Sequence, residues 1–352
     1  MSKGSGLARS GTKAETSGEA AERPWRHPRE TYALFGHSGA LSALERDWQA
    51  GTLHHGLLIC GPRGIGKATF AYALARRLLT GKAGSQADIA DDRTNRQVAA
   101  GAHPDLLALD ADESTGASRN INVDSVRELV SFFGLTASGA YGDAGYRVGI
   151  IDRADDMNTA SANALLKLLE EPPRNAVLML VCETPGRLPA TVRSRCRRVP
   201  LDPLEPSDLR AAVEHAGGTM PVAEDSLCDK WVGGSVLRAL MASDPVIAKT
   251  IGEAGRLLHS LPNPDQGMLS GFTAGFAARE ARTAYDVVFE LIDLHLVEMA
   301  RQTVGQGDTE RGAVLANCLQ NVTGMKRESD VLNLDRTRTL LAVFRELSLS
   351  MN

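Results

Sequence analysis

Residues Gly61-Pro62-Arg63-Gly64-Ile65-Gly66-Lys67-Ala68 form a glycine-rich loop whose glycines and lysine are spaced as a phosphate cradle requires. The glycines allow backbone N–H groups to close around phosphate oxygens, and the lysine brings a point charge to the terminal phosphates. The complete pattern ends in Ser or Thr, whose hydroxyl ligates Mg²⁺. Here Ala68 holds that position, and Thr69 stands one residue late. The chain keeps the cradle and lacks the metal ligand. Gly61, Gly64, Gly66, Lys67 and Thr69 are therefore the candidate nucleotide contacts.

The flanks supply the context that this loop needs. Leu57–Cys60, preceded by Gly56, is a short apolar run that reads as a buried strand. Phe70, Ala73, Leu74, Arg77 and Leu78 follow at helical spacing, with Gly81 as the stop. Strand, glycine loop and helix together make a specific signal. Further strands are expected at Leu106–Asp110, Val148–Asp152, Val177–Cys182 and Arg198–Leu201. Helical patterns lie between them, one marked by Val123, Val126, Val130 and Phe133 and another by Ala162, Leu165, Leu166 and Leu169. This second helix ends at Pro172-Pro173. Alternation of this kind predicts an α/β fold with a parallel sheet covered on both faces. The polar span 82–102 reads as a surface insertion. After Pro203 the strand runs cease, and helical stretches continue through Tyr285, Val288, Phe289, Ile292 and Leu296 and again from Leu334 to Leu347. Residues 262–267 read as a linker.

Composition narrows the function. The 352 residues, 43% of them hydrophobic, are ample for a packed core and predict two or three domains at ~100–200 residues each. A net charge of -4 gives no overall basic field for nucleic acid, so any contact with DNA has to come from a local patch or from partners. The five cysteines are isolated in sequence and odd in number, which fits inert thiols in a reducing cytosol, with no zinc expected. No stretch is long and apolar enough to span a membrane. The first residues are rich in Gly, Ser, Lys and Glu and read as a disordered tail.

A P-loop protein usually carries a second strand ending in Asp, which helps to hold Mg²⁺, often followed by a Glu that polarises the attacking water. Val148-Gly149-Ile150-Ile151-Asp152 supplies the strand and the Asp. The next residue is Arg153, a cation that cannot act as a general base and repels the metal. Ala68 and Arg153 together predict that the chain has little or no hydrolytic activity of its own. Lys67 and the loop leave weak ATP binding without hydrolysis open.

Ser161-Ala162-Asn163-Ala164-Leu165-Leu166-Lys167-Leu168-Leu169-Glu170-Glu171-Pro172-Pro173 is followed by a strand, Thr184, and then Leu188-Pro189-Ala190-Thr191-Val192-Arg193-Ser194-Arg195-Cys196. This order resembles the clamp-loader branch of the AAA+ ATPases. The defective loop, the Asp-Arg pair and Leu332-Asn333-Leu334-Asp335-Arg336 are similar to its non-hydrolysing, delta-prime class in bacterial DNA polymerase III. The resemblance runs from about Tyr32 to the C-terminus. It implies a tail at 1–30, an AAA+ P-loop sheet domain at 31–202, a small helical lid at 203–262 and an all-α oligomerisation collar at 263–352.

The resemblance also implies roles. Arg195 of Ser-Arg-Cys would reach across an interface to the ATP of an adjacent subunit, a task suited to a permanently charged, fork-shaped guanidinium. Thr184 matches the family's polar sensor. The implied partners are the ATP-hydrolysing clamp-loader subunits and the delta subunit, with the sliding clamp and primed DNA met through the complex, in the cytoplasm. Two departures from the family pattern stand out. The span 80–103 lacks the four-cysteine zinc knuckle of many relatives. In Gly234-Ser235-Val236-Leu237-Arg238, Leu237 takes the place of the lid's sensor arginine, and Arg238, one residue and ~100° further round a helix, points elsewhere. The competing expectation is a catalytically active AAA+ ATPase, in a clamp-loader core or another replication role. Ala68 and Arg153 argue against it.

Overall fold

Three apolar runs, β1 (Gly56–Cys60), β3 (Arg147–Ile151) and β4 (Ala176–Cys182), are buried along their whole length, as central strands of a doubly covered sheet must be. A computed structural model describes residues 25–82, 93–109, 121–134, 145–221 and 226–351. In it these strands join β2 (Leu106–Leu109) and β5 (Arg197–Pro200) in one parallel sheet of order β2-β3-β4-β1-β5. The edge positions explain the patterns of the outer strands. β2 is half-buried throughout, and only Val199 of β5 is buried. Asp110, expected to end β2, lies outside the described residues, as does most of the expected N-terminal tail.

The two-residue period of the strands sorts the apolar residues into two cores. Leu57, Ile59, Val148, Ile150, Val177, Met179 and Val181 face α1 (Ser38–Gln49) and α2 (Lys67–Thr80). Leu58, Cys60, Ile151, Leu178, Leu180 and Cys182 face the opposite layer, α4 (Val123–Phe133), α5 (Thr159–Ala164), α6 (Leu166–Glu170) and α7 (Ala190–Arg193). Asn122 and Asn158 start α4 and α5 by accepting the Ser125 and Ser161 N–H groups, each at 2.8 Å.

Two expectations about the sheet domain need correction. The single helix read through Ala162–Leu169 is two, broken at Leu165, which caps α5 and opens α6. The polar span after Lys82 is not all surface. α3 (Arg93–Ala99) buries Thr94, Asn95 and Val98 against α2 and the short 3₁₀ turn Pro28–Glu30. That turn is fastened by Arg76, 2% exposed, whose guanidinium donates to the Arg29 and Thr31 carbonyls and lies 4.6 Å over the Tyr32 ring.

Beyond β5 the chain is helical: α8 (Pro206–His215), α9 (Ser226–Val232), α10 (Val236–Ala242), α11 (Pro245–His259), α12 (Gln266–Ala274), α13 (Arg282–Gly305), α14 (Thr309–Leu332) and α15 (Arg336–Met351). Leu334, read as helical, falls in the turn before α15. One apolar cluster runs from Leu204 through Trp231, Ile251, Phe289 and Val322 to Met351, so the helices on both sides of residue 262 share a core. This is a parallel α/β sheet domain bearing the glycine-rich loop, followed by a helical C-terminal region, as the sequence predicts.

Candidate nucleotide cradle and arginine finger

The loop leaves β1 beneath the start of α2. Gly61 has to be glycine, since a Cβ there would meet the Leu201 carbonyl oxygen at 2.3 Å. Gly64, with φ 76, has the left-handed backbone that glycine adopts most readily, and a Cβ there would run into Ser235 and Leu237. The lid therefore presses on the loop: the Leu237 N–H donates to the Gly64 carbonyl at 3.3 Å, and α10 opens over it. Beside Gly66 the space is open. His37 Nε2 stands 2.9 Å from the Ile65 carbonyl and holds the loop from the other side.

Lys67 is folded back. Its Nζ donates to the loop's own Gly61 and Pro62 carbonyls at 2.9 and 2.6 Å. The side chain is 6% exposed, and burial pulls its pKa down against the opposing charges of Glu183, Asp152 and Asp155. A phosphate entering the cradle has to displace these two carbonyls from the ammonium. The metal side fits less well. Ala68 offers no oxygen, and Thr69 sits half-buried in the first turn of α2. The residues present fit phosphate contact by Lys67 and the loop and do not supply the usual Mg²⁺ hydroxyl.

Asp152 ends β3, and its N–H donates to the Leu109 carbonyl. Arg153 follows with φ 58 and pairs with Asp156 at 2.7 Å, so its cation is held within its own turn. Asp155, which the sequence did not single out, ties this turn to the end of β4 by accepting the Glu183 and Thr184 N–H groups at 3.2 and 3.0 Å. Thr184 is exposed beyond β4. Asp152, Asp155 and Glu183 thus gather around Lys67, whereas Arg195 lies apart, after α7 and before β5. The Arg195 guanidinium pairs with Glu170 at 2.8 Å and donates to the Thr191 carbonyl at 3.0 Å.

The lid's expected offset is present. Leu237 meets the P-loop, while Arg238 turns to α13 and bonds Glu290 at 3.1 Å. Glu290 also accepts the Trp231 indole N–H at 2.9 Å and the Arg63 guanidinium at 3.2 Å. One α13 carboxylate therefore joins the P-loop, α9 and α10. Sequence reasoning missed it because its partners are 227, 59 and 52 residues away.

Residues 36–205 match the family described as DNA polymerase III, delta subunit. The chain is 39% identical to DNA polymerase III subunit delta' of Pseudomonas aeruginosa over 40% of this chain and 41% of that one. It is 35% identical to the Escherichia coli delta' subunit over 52% of each. Over these residues the chain is similar to subunits of DNA polymerase III. To DNA polymerase III subunit tau of Escherichia coli it is 31% identical over 66% of this chain and 35% of the relative. The chain thus spans between 35% and 52% of the length of these curated relatives. A Thermotoga maritima DNA polymerase III gamma subunit-related crystal structure aligns over 88% of this chain and 99% of its own, with 18% identity and a TM-score of 0.41. No described helix is long and apolar enough to cross a membrane.

Proposed function

We propose that this chain is a non-hydrolysing, delta-prime-type subunit of the DNA polymerase III clamp loader, working in the cytoplasm. It assists the loading of a sliding clamp onto primed DNA and donates Arg195 to a neighbouring subunit's ATP site. The observation that carries this reading is the cradle itself: the Lys67 ammonium is engaged by Gly61 and Pro62 next to an alanine in the Mg²⁺-ligand position. Arg153, paired with Asp156, supports it, because the water-activating position holds a cation. Weak ATP binding at Gly61, Gly64, Gly66, Lys67 and Thr69 is compatible with this role, with Asp152 and Thr184 as remnants of the metal and sensor positions.

Arg195 suits donation in trans. Its side chain is 37% exposed, and its partner Glu170 is 50% exposed. A pair this open is worth ~0–1 kcal/mol, so a phosphate on a neighbouring subunit can replace Glu170 at small cost. Arginine fingers supplied in trans are worth about 10³–10⁵ in rate in GTPases. The partners are the ATP-hydrolysing clamp-loader subunits and delta. The all-α region 263–352 serves as the collar that joins them.

The test is ATP turnover by the chain alone and by the complex reconstituted with clamp and primed DNA. The chain alone should show no Mg²⁺-dependent turnover. Arg195→Ala should assemble and slow the complex, and Arg195→Lys should do the same because an ammonium lacks the planar fork. Arg198→Ala should have a smaller effect. Turnover by the chain alone that disappears in Lys67→Ala would establish the active-ATPase alternative instead.

A further inference from the structure

Two of the five cysteines, 122 residues apart in sequence, are brought side by side at the base of the P-loop. Cys60 ends β1 and Cys182 ends β4, and they are register partners on adjacent parallel strands. Register partners point to the same face, and both thiols enter the same apolar layer. Neighbouring strands lie about 4.8 Å apart, inside the Cα separation that a disulfide accepts. The Cys60 thiol donates to the Leu58 carbonyl of its own strand at 3.4 Å. The other three cysteines stand elsewhere. Cys196 precedes β5 and packs beside Gly56 at the opposite end of β1, and Cys228 and Cys318 belong to the helical core.

We propose that Cys60 and Cys182 form a peroxide-reactive dithiol, in which Cys60 takes the oxidant and Cys182 resolves it as an intramolecular disulfide. The surroundings assign the two roles. Cys60 is 5% exposed and Cys182 is fully buried, so only Cys60 has a path to solvent. The neighbouring Cys182 thiol, followed by the Arg198 and Lys67 cations, draws the Cys60 thiol down against the effect of burial. The neighbouring Cys60 and burial push Cys182 up. Thiolate character and a cationic setting are what distinguish a reactive cysteine from a structural one. A peroxide is small enough to reach a nearly closed site.

The chemistry balances. The Cys60 thiolate attacks one oxygen of hydrogen peroxide; the S–O bond forms, the O–O bond breaks, and hydroxide leaves. The Cys182 thiolate then attacks the Cys60 sulfur; the S–S bond forms, the S–O bond breaks, and a second hydroxide leaves. The two thiol protons convert both hydroxides to water. The pair of sulfurs gives up two electrons, and the peroxide oxygens accept them. A thiol reductant reverses the bond.

The experiment treats the full-length folded chain with hydrogen peroxide, confirms the fold by circular dichroism, then unfolds the chain in N-ethylmaleimide to block every free thiol and maps peptides by mass spectrometry. The expected result is a mass lower by two hydrogen atoms and a Cys60–Cys182 cross-linked peptide that dithiothreitol cleaves. Cys182→Ser should stop at a Cys60 sulfenic acid trapped by dimedone, and Cys60→Ser should leave Cys182 alkylatable at the same peroxide dose. If folded wild-type chain returns both residues as alkylatable thiols, or links through Cys196, Cys228 or Cys318 instead, the proposal is overturned. The wild-type map decides even if a variant fails to fold.

Discussion

Replacing Glu290 by alanine should destabilise the helical half of the molecule far more than removing an ordinary half-buried glutamate. The carboxylate accepts from Trp231, Arg238 and Arg63 at 2.9, 3.1 and 3.2 Å. Trp231 is 1% exposed, so its indole N–H has no water to replace the lost acceptor. Leaving that donor unpaired costs about 1–3 kcal/mol. The two arginine pairs, partly open to solvent, contribute only ~0.2–1 kcal/mol each. The expected loss is therefore about 2–4 kcal/mol, most of it from the indole. Glu290→Gln keeps an oxygen for Trp231 and discards only the charge, so it should lose roughly 1 kcal/mol or less. The assay is urea unfolding followed by tryptophan fluorescence in a Trp25→Phe, Trp48→Phe background, so that Trp231 alone reports. Midpoints are to be compared only where the slope is unchanged. Equal losses for the alanine and glutamine variants would refute the reasoning, since the acceptor would then not be what matters.

Three other outcomes follow from the same structure. Arg147→Ala should destabilise by about 3–5 kcal/mol in thermal or urea unfolding, because it removes a buried guanidinium that pairs with Asp105 at 3.6 Å and donates to the Phe132 carbonyl. His103 accepts the Asp105 N–H at 3.1 Å through Nδ1, and burial lowers its pKa. The unfolded chain therefore binds a proton first: stability should fall as pH drops through the ordinary histidine value of about 6.5, level off below the folded value, and show a shallower slope in His103→Gln. Ala68→Ser alone should not create ATPase activity, because the hydroxyl arrives beside a lysine engaged by Gly61 and Pro62; turnover by this single variant would show that the missing Mg²⁺ ligand is the whole defect.

The sheet was legible because its central strands are short continuous apolar runs bounded by polar turns, and each observed strand agrees with its expected bounds to within a residue. The loop and Asp152 were legible because their chemistry is local. Contacts that join distant segments were not. Nothing near Arg63 in sequence announces Glu290, and nothing near Cys60 announces Cys182. α3 was misread because Thr94 and Asn95 are polar yet buried under the Pro28–Glu30 turn, so polarity stood for exposure where tertiary packing overrode it. The break at Leu165 left no composition signal, since both halves carry the same apolar spacing.

The turn at Arg153 bears on whether hydrolysis could return to a lineage of such chains. A left-handed backbone costs a non-glycine residue about 1–2 kcal/mol. The pairing with Asp156 helps to hold this one. Restoring glutamate there would remove the cation from Asp156 and set a third carboxylate beside Asp155 and Asp156. Restoring the hydroxyl at residue 68 would bring no benefit while Lys67 faces inward. One reversion is harmful by itself and the other neutral, so selection has no single upward step to follow. On the function proposed above, a loss of catalysis made at both positions behaves as a ratchet.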